Sequence, residues 1–448
     1  MKNIQKAIRY LKKNGMKKML PVAIERFLQN RKETYTYQQP DQLHLAAQRA
    51  HSFLKPEKIS VVVPAFETKA EYLKTLIDSM LAQSYTSWEL VIADASQSSI
   101  VSDLVGKYQD ERIQYHRLSG NAGIAENTNE AIALATGTFI GLLDHDDYLT
   151  PDALFEMQQW IDRHEEAALV YSDEDKTDGE NRIFYEPNQK SGFNLDLFLS
   201  NNYLCHFTVI RAEYCRQIPF RSKMDGAQDY DLFLRIIQRL LIEEIEKGYT
   251  LAEAQMRLQA RVGHIGKVLY HWRCHTGSTA QNPDSKRYAY EAGRVAVEEF
   301  IKSMGWNGCV HHTDHLGFYR VEYEKGIFSQ RPDLGAIGGN LFQRGRVSGG
   351  AMNEEGKPLF LGLPKSFSGR LHRAVLQQQV AALDLRNIRV RQVPQIQAAF
   401  EEAVLKTQTI TDETKQREIS LEFCEKIREM GYVILYDPAL NQQSSEGR

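Results

Sequence analysis

From Pro56 onward the chain alternates apolar runs with amphipathic segments, and this alternation restricts the fold more than any other feature. The run KISVVVPAF is typical of a buried strand, and residues 70–83 space apolar side chains as an amphipathic helix does. WELVIADAS and RIQYHRL predict two more strands, GIAENTNEAIALATG a helix closed by Gly137, and TFIGLLD a fourth strand. The pattern predicts an α/β domain with a mostly parallel sheet, whose ligands gather at the carboxyl ends of the strands.

Three carboxylates follow the fourth strand, in the stretch GTFIGLLDHDDYLTP. On an extended backbone Asp144 and Asp146 point to the same side, where their charges repel each other unless a cation lies between them. Oxygen ligands without cysteine suit Mg²⁺ or Mn²⁺. The alternative is a solvated acidic turn that leads into the next helix. That alternative explains TPDAL well but does not explain DHDD.

Length and composition narrow the class of protein. The 448 residues suffice for two or three domains, and a formal net charge of −3 gives no indication of a nucleic-acid partner. The five cysteines lie far apart without a CxxC pair, so neither a disulfide framework nor a zinc site is predicted. No window approaches the roughly 18 to 20 apolar residues of a spanning helix, and the start lacks a signal peptide's apolar segment. These features favour a protein of the reducing cytosol.

The first 32 residues form a basic arm, with ten Lys or Arg and one acidic residue, Glu25. Ile4, Ile8 and Leu11 fall on one helical face, so the arm is predicted to contain an amphipathic helix. Two interpretations stay open. The helix packs on its own domain with its charges in solvent, or it docks on an anionic membrane surface, where each basic residue contributes about 1 kcal/mol.

Seven segments occur in the order found in a known family. They are strand one with PAF, the ELVIADAS strand, NAGIAENTNEAIALATGTFIGLLDHDD, YSDEDK, NNYLCHFTVIR, GAQDYDLFLRI and IGKVLYHWRCHTGSTA. On these motifs the chain resembles the family 2 glycosyltransferases, which are inverting enzymes with the GT-A fold. The resemblance implies a Rossmann-like nucleotide-binding mixed sheet flanked by helices.

The resemblance also implies a donor site and a metal site. The donor nucleotide is expected to contact the loop after strand one, the end of the ELVIADAS strand and the DxD motif: Pro64, Ala65, Phe66, Glu67, Asp94, Asp144 and His145. Mn²⁺ or Mg²⁺ is expected at Asp144, Asp146 and His275. ADAS stands where relatives often have two adjacent aspartates, so the sequence departs from the family pattern at Asp94.

The catalytic base that the resemblance implies is Asp229, just before a helix that it is also predicted to cap, and Asp231 is the second candidate. Asp147 is expected to support the site or bind sugar, and Gln228 and Trp272 are further candidates for sugar or acceptor contacts. His271 is expected to be structural. The acidic trio of YSDEDK resembles a segment near the donor sugar, although its charge alone predicts a solvated loop.

Three domains are predicted: residues 1–50 as helical arm and linker, 56–302 as the catalytic GT-A domain, and 303–448 as an α/β domain. The last resembles a degenerate partial repeat of the same fold, with Ser420 and Gln442 where a base and a histidine are usual. The alternative is an unrelated α/β appendage. Residues 238–263 form an insertion of helical composition, expected to serve as a lid, an acceptor platform or a subunit contact.

YSDEDK, GAQDYDLFLRI and HWRCHTGSTA resemble segments of bacterial rhamnan and O-antigen enzymes. The resemblance implies an enzyme that moves a sugar from a nucleotide diphosphate, dTDP-rhamnose or a UDP-hexose, to a growing cell-surface glycan. The acceptor is expected to be lipid-linked at the cytoplasmic face of the membrane, and a homo-oligomer is compatible with the sequence. One alternative is a catalytically inactive glycan-binding or scaffold protein of the same fold. A sugar nucleotidyltransferase is a weaker alternative, because PAFETKAEY replaces the glycine-rich loop of that class.

Overall fold

The computed structural model describes residues 24–25, 35–275 and 287–443. They divide into two compact units. The larger contains Tyr35–Asn194 and Asn201–Glu324, and the smaller contains Leu195–Ser200, the residues from Lys325 onward and the described part of the arm. The three predicted domain ranges stay predictions, and most of the basic arm lies outside the described residues.

The first half of the larger unit alternates strands and helices, which confirms the predicted α/β pattern. In chain order its elements are α1 (Gln42–Ala50), β1 (Ile59–Ala65), α2 (Ala70–Leu81), β2 (Trp88–Asp94), α3 (Ile100–Val105), β3 (Ile113–Arg117), α4 (Ile124–Leu134), β4 (Phe139–Leu142) and β5 (Tyr148–Leu149).

The second half is richer in long elements. It continues with α5 (Ala153–Arg163), β6 (Leu169–Asp178), β7 (Phe184–Asn188), α6 (Leu195–Ser200, part of the smaller unit), β8 (Thr208–Arg211), α7 (Ala212–Gln217), α8 (Gln228–Glu246), α9 (Leu251–Leu258), β9 (Val262–Cys274), α10 (Arg287–Ser303), β10 (Gly308–His312) and β11 (Tyr319–Tyr323).

A mixed sheet forms the centre of the larger unit. Its order is β3-β2-β1-β4-β8-β6-β9-β5, with β7 beside β6. Strands β3, β2, β1 and β4 are parallel, β8 runs antiparallel between β4 and β6, and β9 is parallel to β6. Strands β1 and β2 are almost wholly buried, and α2 covers them with its apolar face (Leu73, Leu76, Ile77 and Met80). The sheet therefore directs the carboxyl ends of β1, β2 and β4 to one edge.

The turn between α4 and β4 corrects one prediction. Helix α4 ends at Leu134, and Gly137 lies beyond it against the start of β1. A Cβ atom at Gly137 would lie only 2.5 Å from the carbonyl oxygen of Lys58. Gly137 is thus required by this close approach and does not end the helix. The buried Glu89 accepts hydrogen bonds from Ser60 Oγ (2.5 Å) and Thr136 N (2.6 Å), which fixes the same corner.

The insertion at residues 238–263 is helical, as its composition predicts. Helix α8 continues through it to Glu246, and α9 follows with a capping box between Thr250 and Glu253. The fully buried carboxylate of Glu244 pairs with Arg257 (2.5 Å) and Arg261 (3.1 Å). These ion pairs tie α8 to α9 and to the chain that enters β9.

The smaller unit contains short strands and two longer helices. Its elements after α6 are α11 (Ile327–Gln330), β12 (Leu334–Gly338), β13 (Leu341–Gln343), β14 (Arg346–Gly349), β15 (Ala351–Met352), β16 (Gln378–Gln379), β17 (Ala382–Leu383), β18 (Ile388–Val390), α12 (Pro394–Gln408), α13 (Glu413–Glu429), β19 (Val433–Tyr436) and β20 (Gln442–Gln443). Strands β16, β19, β12 and β18 form one sheet in that order.

An ion cluster explains why α6 belongs to the smaller unit. The fully buried guanidinium of Arg331 donates to Asp196 Oδ1 on α6 (2.6 Å) and to Asp333 Oδ2 (2.7 Å).

Ser420 is buried on α13, where its hydroxyl donates to the carbonyl oxygen of Gln416 (2.8 Å). Its contacts are those of a packing residue, and the degenerate repeat stays a prediction.

The described part of the basic arm contacts the smaller unit. The Glu25 carboxylate accepts hydrogen bonds from the backbone N–H groups of Ser368 (3.0 Å) and Gly369 (2.6 Å). Among the helices that the structure describes, none combines the length and apolar character needed to cross a membrane.

Candidate active site

The DHDD stretch forms a turn directly after β4. The Asp147 N–H donates to the carbonyl oxygen of Asp144 (3.1 Å), so these residues do not continue the extended backbone on which their shared orientation was predicted. Asp144 is half-buried, and desolvation together with the charge of Asp146 raises the pKa of its carboxyl, although the nearby His206 opposes the rise.

Asp147 anchors this turn to β9. Its buried carboxylate accepts from the Tyr270 hydroxyl (2.5 Å) and from the Arg273 backbone N–H (2.7 Å). Burial, with the charges of Asp146 and Asp144, raises the pKa of Asp147 well above its ordinary value. The side chain is 0% exposed, so it supports the site and does not reach a sugar.

His275 lies against Asp146. Its Nε2 is 2.8 Å from Asp146 Oδ2, and the ring of Tyr72 packs 5.3 Å from the imidazole, centroid to centroid. The Arg273 guanidinium also faces Tyr72 and donates to the Asp146 carbonyl oxygen (2.7 Å). The end of β9 therefore holds the DHDD turn through backbone and side chain together. Residues 276–280, the last five of the HWRCHTGSTA motif, lie outside the described part of the chain.

The loop after β1 lies between the DHDD turn and the end of β2. His145 Nδ1 is 2.7 Å from Thr68 Oγ1, and Glu67 accepts from the Gln97 N–H (2.6 Å). Hydrogen bonds from Ser98 and Gln97 lower the pKa of Glu67. Phe66 is 44% exposed in this loop, whereas Pro64 is half-buried and Ala65 buried. Phe66 thus offers a ring face to a ligand, and Glu67 mainly fixes the loop.

Asp94 differs from the prediction. Its carboxylate is fully buried and accepts from the Ser96 N–H (2.9 Å), the Tyr115 hydroxyl (2.9 Å) and Arg117 (2.7 Å). A nucleobase would have to break these bonds to reach it. These partners were not predicted, because β3 pairs in register with β2 and carries Tyr115 and Arg117 directly to Asp94. The nucleotide contact of Asp94 stays a prediction.

His206 is the residue that the sequence reasoning missed. Strands β4 and β8 are antiparallel with Leu142 opposite Thr208, and continuing this register beyond both strands sets Asp144 opposite His206. His206 Nε2 lies 3.7 Å from Asp144 Oδ2, and Nδ1 lies 3.0 Å from Glu174 Oε2. Burial disfavours the imidazolium, but Glu174, Asp144 and Asp229 outweigh it and raise the pKa of His206 to about 9. The available signal was a histidine just before the apolar run FTVI in the motif NNYLCHFTVIR.

Asp229 lies beside His206 in the first turn of α8, at the second helical residue, and is not the N-cap that was predicted. Its Oδ2 accepts from Asn202 Nδ2 (3.0 Å) and its Oδ1 from the Tyr230 N–H (2.8 Å). Possible ligand atoms of Cys205, His206 and Asp229 all lie within 4.8 Å of one another. Residues from three segments distant in sequence thus meet: the DHDD turn, the loop before β8 and the start of α8.

The other two candidates on α8 have structural roles. Asp231 is buried and forms ion pairs with Arg221 and with Arg235, whose NH2 is 2.7 Å from Asp231 Oδ2. A carboxylate held by two guanidinium groups is a poor proton acceptor, so the structure does not support Asp231 as the base. The Gln228 side chain folds back to accept from the Gly226 N–H (2.7 Å), which occupies it in the preceding turn.

Aromatic residues of β9 form the wall behind His206. Tyr270 stacks on the imidazole at 4.9 Å, and the half-buried Trp272 lies 5.8 Å away, both measured between ring centroids. Alternate residues of a strand face the same side, so both rings face His206 while His271 faces away. His271 contacts Asp175 (2.6 Å), which agrees with its expected structural role.

The acidic trio of YSDEDK is buried on β6, so the solvated loop was a wrong prediction. Each carboxylate has a partner: Asp173 contacts His264 (2.8 Å), Glu174 contacts His206, and Asp175 contacts His271. Periodicity could not reveal this, because the partners come from β9 and from the loop before β8.

Comparison with known proteins identifies the family of the segment that contains the DHDD turn and His206. Residues 60–219 match the family Glycosyl transferase family 2. An uncharacterised protein of Sinorhizobium fredii is 40% identical over 54% of this chain and 25% of its own length. The O-antigen biosynthesis protein RfbC of Myxococcus xanthus is 30% identical over 62% of this chain and 21% of its own length.

A shorter relative matches over most of its length. The putative colanic acid biosynthesis glycosyl transferase WcaA of Escherichia coli is 28% identical over 48% of this chain and 81% of its own length. Among solved structures, Staphylococcus aureus TarS 1-349 in complex with UDP-GlcNAc aligns with a TM-score of 0.41 and 18% identity, over 55% of this chain and 66% of that one. The chain matches about a quarter or less of the length of its first two relatives.

Proposed function

The chain carries a family 2 glycosyltransferase domain with the GT-A fold, and on this premise we propose that it transfers a sugar from a nucleotide diphosphate to a hydroxyl group of a cell-surface glycan. The observation that carries the proposal is the meeting of Asp144, Asp146 and His275 with Asp229 and His206 at one edge of the sheet. Asp144, Asp146 and His275 are suited to a cation with a sugar diphosphate, and Asp229 beside His206 is suited to an acceptor hydroxyl.

The ligand types of Asp144, Asp146 and His275 suit Mg²⁺ or Mn²⁺. His275 lies on Asp146, but the ligand atoms of the three do not all lie within 4.8 Å of one another, so their side chains would have to rotate to hold one cation. Desolvation, and after it the charge of Asp146, raises the pKa of Asp144, and a divalent cation would offset both. Bound there, the cation would neutralise charge that develops on the leaving diphosphate. The described residues orient the set: Asp147 fixes the turn, and Arg273 holds the Asp146 backbone.

Asp229 is the proposed base. Its carboxylate is half-buried beside His206, Asn202 orients one of its oxygens, and the N-terminus of α8 stabilises its negative charge. In an inverting reaction the hydroxyl attacks the face of the anomeric carbon opposite the leaving phosphate. Asp229 would accept the hydroxyl proton as the new bond forms.

The class of glycan follows from the relatives. RfbC is named for O-antigen biosynthesis and WcaA for colanic acid biosynthesis, and other relatives are the chondroitin and hyaluronan synthases of Pasteurella multocida. All are named for polysaccharide production. We therefore propose a growing polysaccharide, lipid-linked at the cytoplasmic face of the membrane, as the acceptor, and dTDP-rhamnose or a UDP-hexose as the donor.

The experiment that tests the proposal incubates the full chain with a panel of nucleotide sugars and measures release of nucleoside diphosphate and thermal stabilisation. Each donor is tested with Mn²⁺, with Mg²⁺ and with EDTA. Turnover and stabilisation by one donor, only with metal, would support the transferase and identify its sugar. No response to any donor would contradict it and favour an inactive scaffold of the same fold.

The basic arm is proposed to bring the enzyme to anionic lipid. Ten basic residues within 32 positions provide the charge, and attraction of this kind weakens as salt screens it. Deleting residues 1–23 tests this while leaving the Glu25 contact in place. We expect loss of salt-sensitive binding to anionic vesicles, with neutral vesicles as the control. Unchanged binding would assign the arm a structural role.

A further inference from the structure

Cys205, His206 and Asp229 form a mixed sulfur, nitrogen and oxygen cluster that the hard-cation site does not use. None of the three is fully buried, so water and ions can reach them. Their ligand atoms lie within 4.8 Å of one another, and modest side-chain rotations would bring them to the 2.0–2.3 Å that zinc requires. Sequence spacing could not indicate this group, because Asp229 comes from a different segment.

We infer that Cys205, His206 and Asp229 bind a soft divalent cation, of which Zn²⁺ is the type, at a site distinct from the Mg²⁺ or Mn²⁺ site. A thiolate and an imidazole select Zn²⁺ over the hard cations, which prefer oxygen ligands alone. Three protein ligands leave one position of a tetrahedral ion to water. Binding releases the thiol proton of Cys205 and, because the pKa of His206 is raised to about 9, the Nε2 proton of His206 to solvent, so the two positive charges of the ion replace two protons.

The contacts around the cluster are those that orient metal ligands. Glu174 Oε2 lies 3.0 Å from His206 Nδ1 and can accept a hydrogen bond from an N–H at that nitrogen. This leaves Nε2 as the ring nitrogen for a metal. Asn202 holds Oδ2 of Asp229. Metal-bound histidines almost always donate their second N–H to a carboxylate or carbonyl, and this contact fixes their orientation. Two of the three ligands are therefore already positioned.

The charge around the cluster favours a cation. Asp144 is 3.7 Å from His206 and adds a negative charge, whereas the ammonium group of Lys190 donates to the His206 carbonyl oxygen (2.5 Å) and lies 3.9 Å from Glu174. The positive charge of Lys190 is therefore paired with the His206 carbonyl oxygen and with Glu174. A second cluster, His44, Asp152 and Glu156, provides a contrast within the described residues: there Lys267 Nζ already lies 2.7 Å from Glu156.

Occupation of this site would inhibit transfer, because the ion would hold the carboxylate that accepts the proton; this consequence rests on the proposed function. Zn²⁺ is then an inhibitor, whereas Mg²⁺ or Mn²⁺ supports donor binding. The two effects come from ligand sets that share no residue. The two ligand sets adjoin at Asp144 and His206.

The test uses Co²⁺ as a spectroscopic substitute for Zn²⁺ on the full chain. We expect a thiolate-to-cobalt charge-transfer band in the wild type and in Cys309→Ser, which removes an exposed thiol, and no band in Cys205→Ser. A wild type without the band, or a Cys205→Ser variant that keeps it, would overturn the inference. Circular dichroism checks that each variant is folded.

Zn²⁺ affinity provides a second test that does not depend on Cys205→Ser folding. We expect Asp229→Asn to weaken Zn²⁺ binding at least tenfold, Glu174→Gln to weaken it by about 10- to 100-fold, and Asp146→Ala to change it less than twofold. Equal affinity in Asp229→Asn, or a large loss only in Asp146→Ala, would overturn the site. These measurements need no sugar donor, so failure of the proposed transferase activity is distinguishable from failure of this site.

Discussion

His275 Nε2 lies 2.8 Å from Asp146 Oδ2, although 129 residues separate the two in sequence. The contact forms because β9 ends beside the turn that follows β4. Asp147 in that turn accepts hydrogen bonds from Tyr270 and Arg273 of β9 and so connects the turn to the strand. A carboxylate and an imidazole held in this way are a preorganised pair for a cation and the diphosphate it carries.

The first prediction concerns this pair. Asp146→Ala should abolish metal-dependent stabilisation by a nucleoside diphosphate, because the variant loses a charged ligand. The loss should exceed the 10- to 100-fold that changes in outer-shell contacts typically cost. His275→Gln should weaken binding less, since it removes a neutral ligand. Calorimetric titration with and without Mn²⁺ measures both. Asp103→Ala, an exposed carboxylate on α3, is the control, and wild-type affinity in Asp146→Ala would rule out the metal role.

The second prediction separates Asp231 from catalysis. Asp231→Asn leaves Arg221 and Arg235 without their buried counter-ion, so the free energy of unfolding should fall by about 3 kcal/mol. Urea denaturation measures this, with Glu246→Gln at the exposed end of α8 as the matched control. Folded Asp231→Asn should keep its turnover within a few-fold. A stable but inactive variant would return Asp231 to the site.

The third prediction is a pH dependence. Burial opposes ionisation of Glu89, but hydrogen bonds from Lys58, Ser60 and Thr136 outweigh it and lower its pKa from 4.5 to about 2. A lowered pKa stabilises the fold above the unfolded value, so this contribution should be complete above about pH 4.5 and lost as the pH falls towards 2. Glu89→Gln should unfold more easily at pH 6, and its stability deficit should shrink between pH 4.5 and pH 2.

Urea denaturation at several pH values tests this, with the exposed Glu111→Gln as the control variant. A deficit that does not change between pH 6 and pH 2 would mean that the Glu89 charge contributes nothing to stability.

The sequence predicted the strands and helices of residues 59–142 except the short α3, because each of the predicted elements follows its own periodicity. The family motifs also put forward Asp144, Asp146, Asp229 and His275 as site residues, and their roles stay predictions. The sequence did not predict the partners of Asp94 or of the YSDEDK trio, since those depend on the order and register of neighbouring strands. His206 illustrates the difference: it lies in a quoted motif, yet only the antiparallel register of β4 and β8 sets it opposite Asp144.

The measurement that tests the central claim most directly is turnover of the active donor by wild type and Asp229→Asn in Mn²⁺, with donor affinity measured in parallel. Removing a general base typically costs about 100- to 10,000-fold in rate. The account predicts a loss of that size with donor affinity unchanged within threefold, and Asp225→Asn, in the turn before α8, should retain its rate. Wild-type turnover in Asp229→Asn would contradict the assignment of the base and, with it, the proposed role of this site.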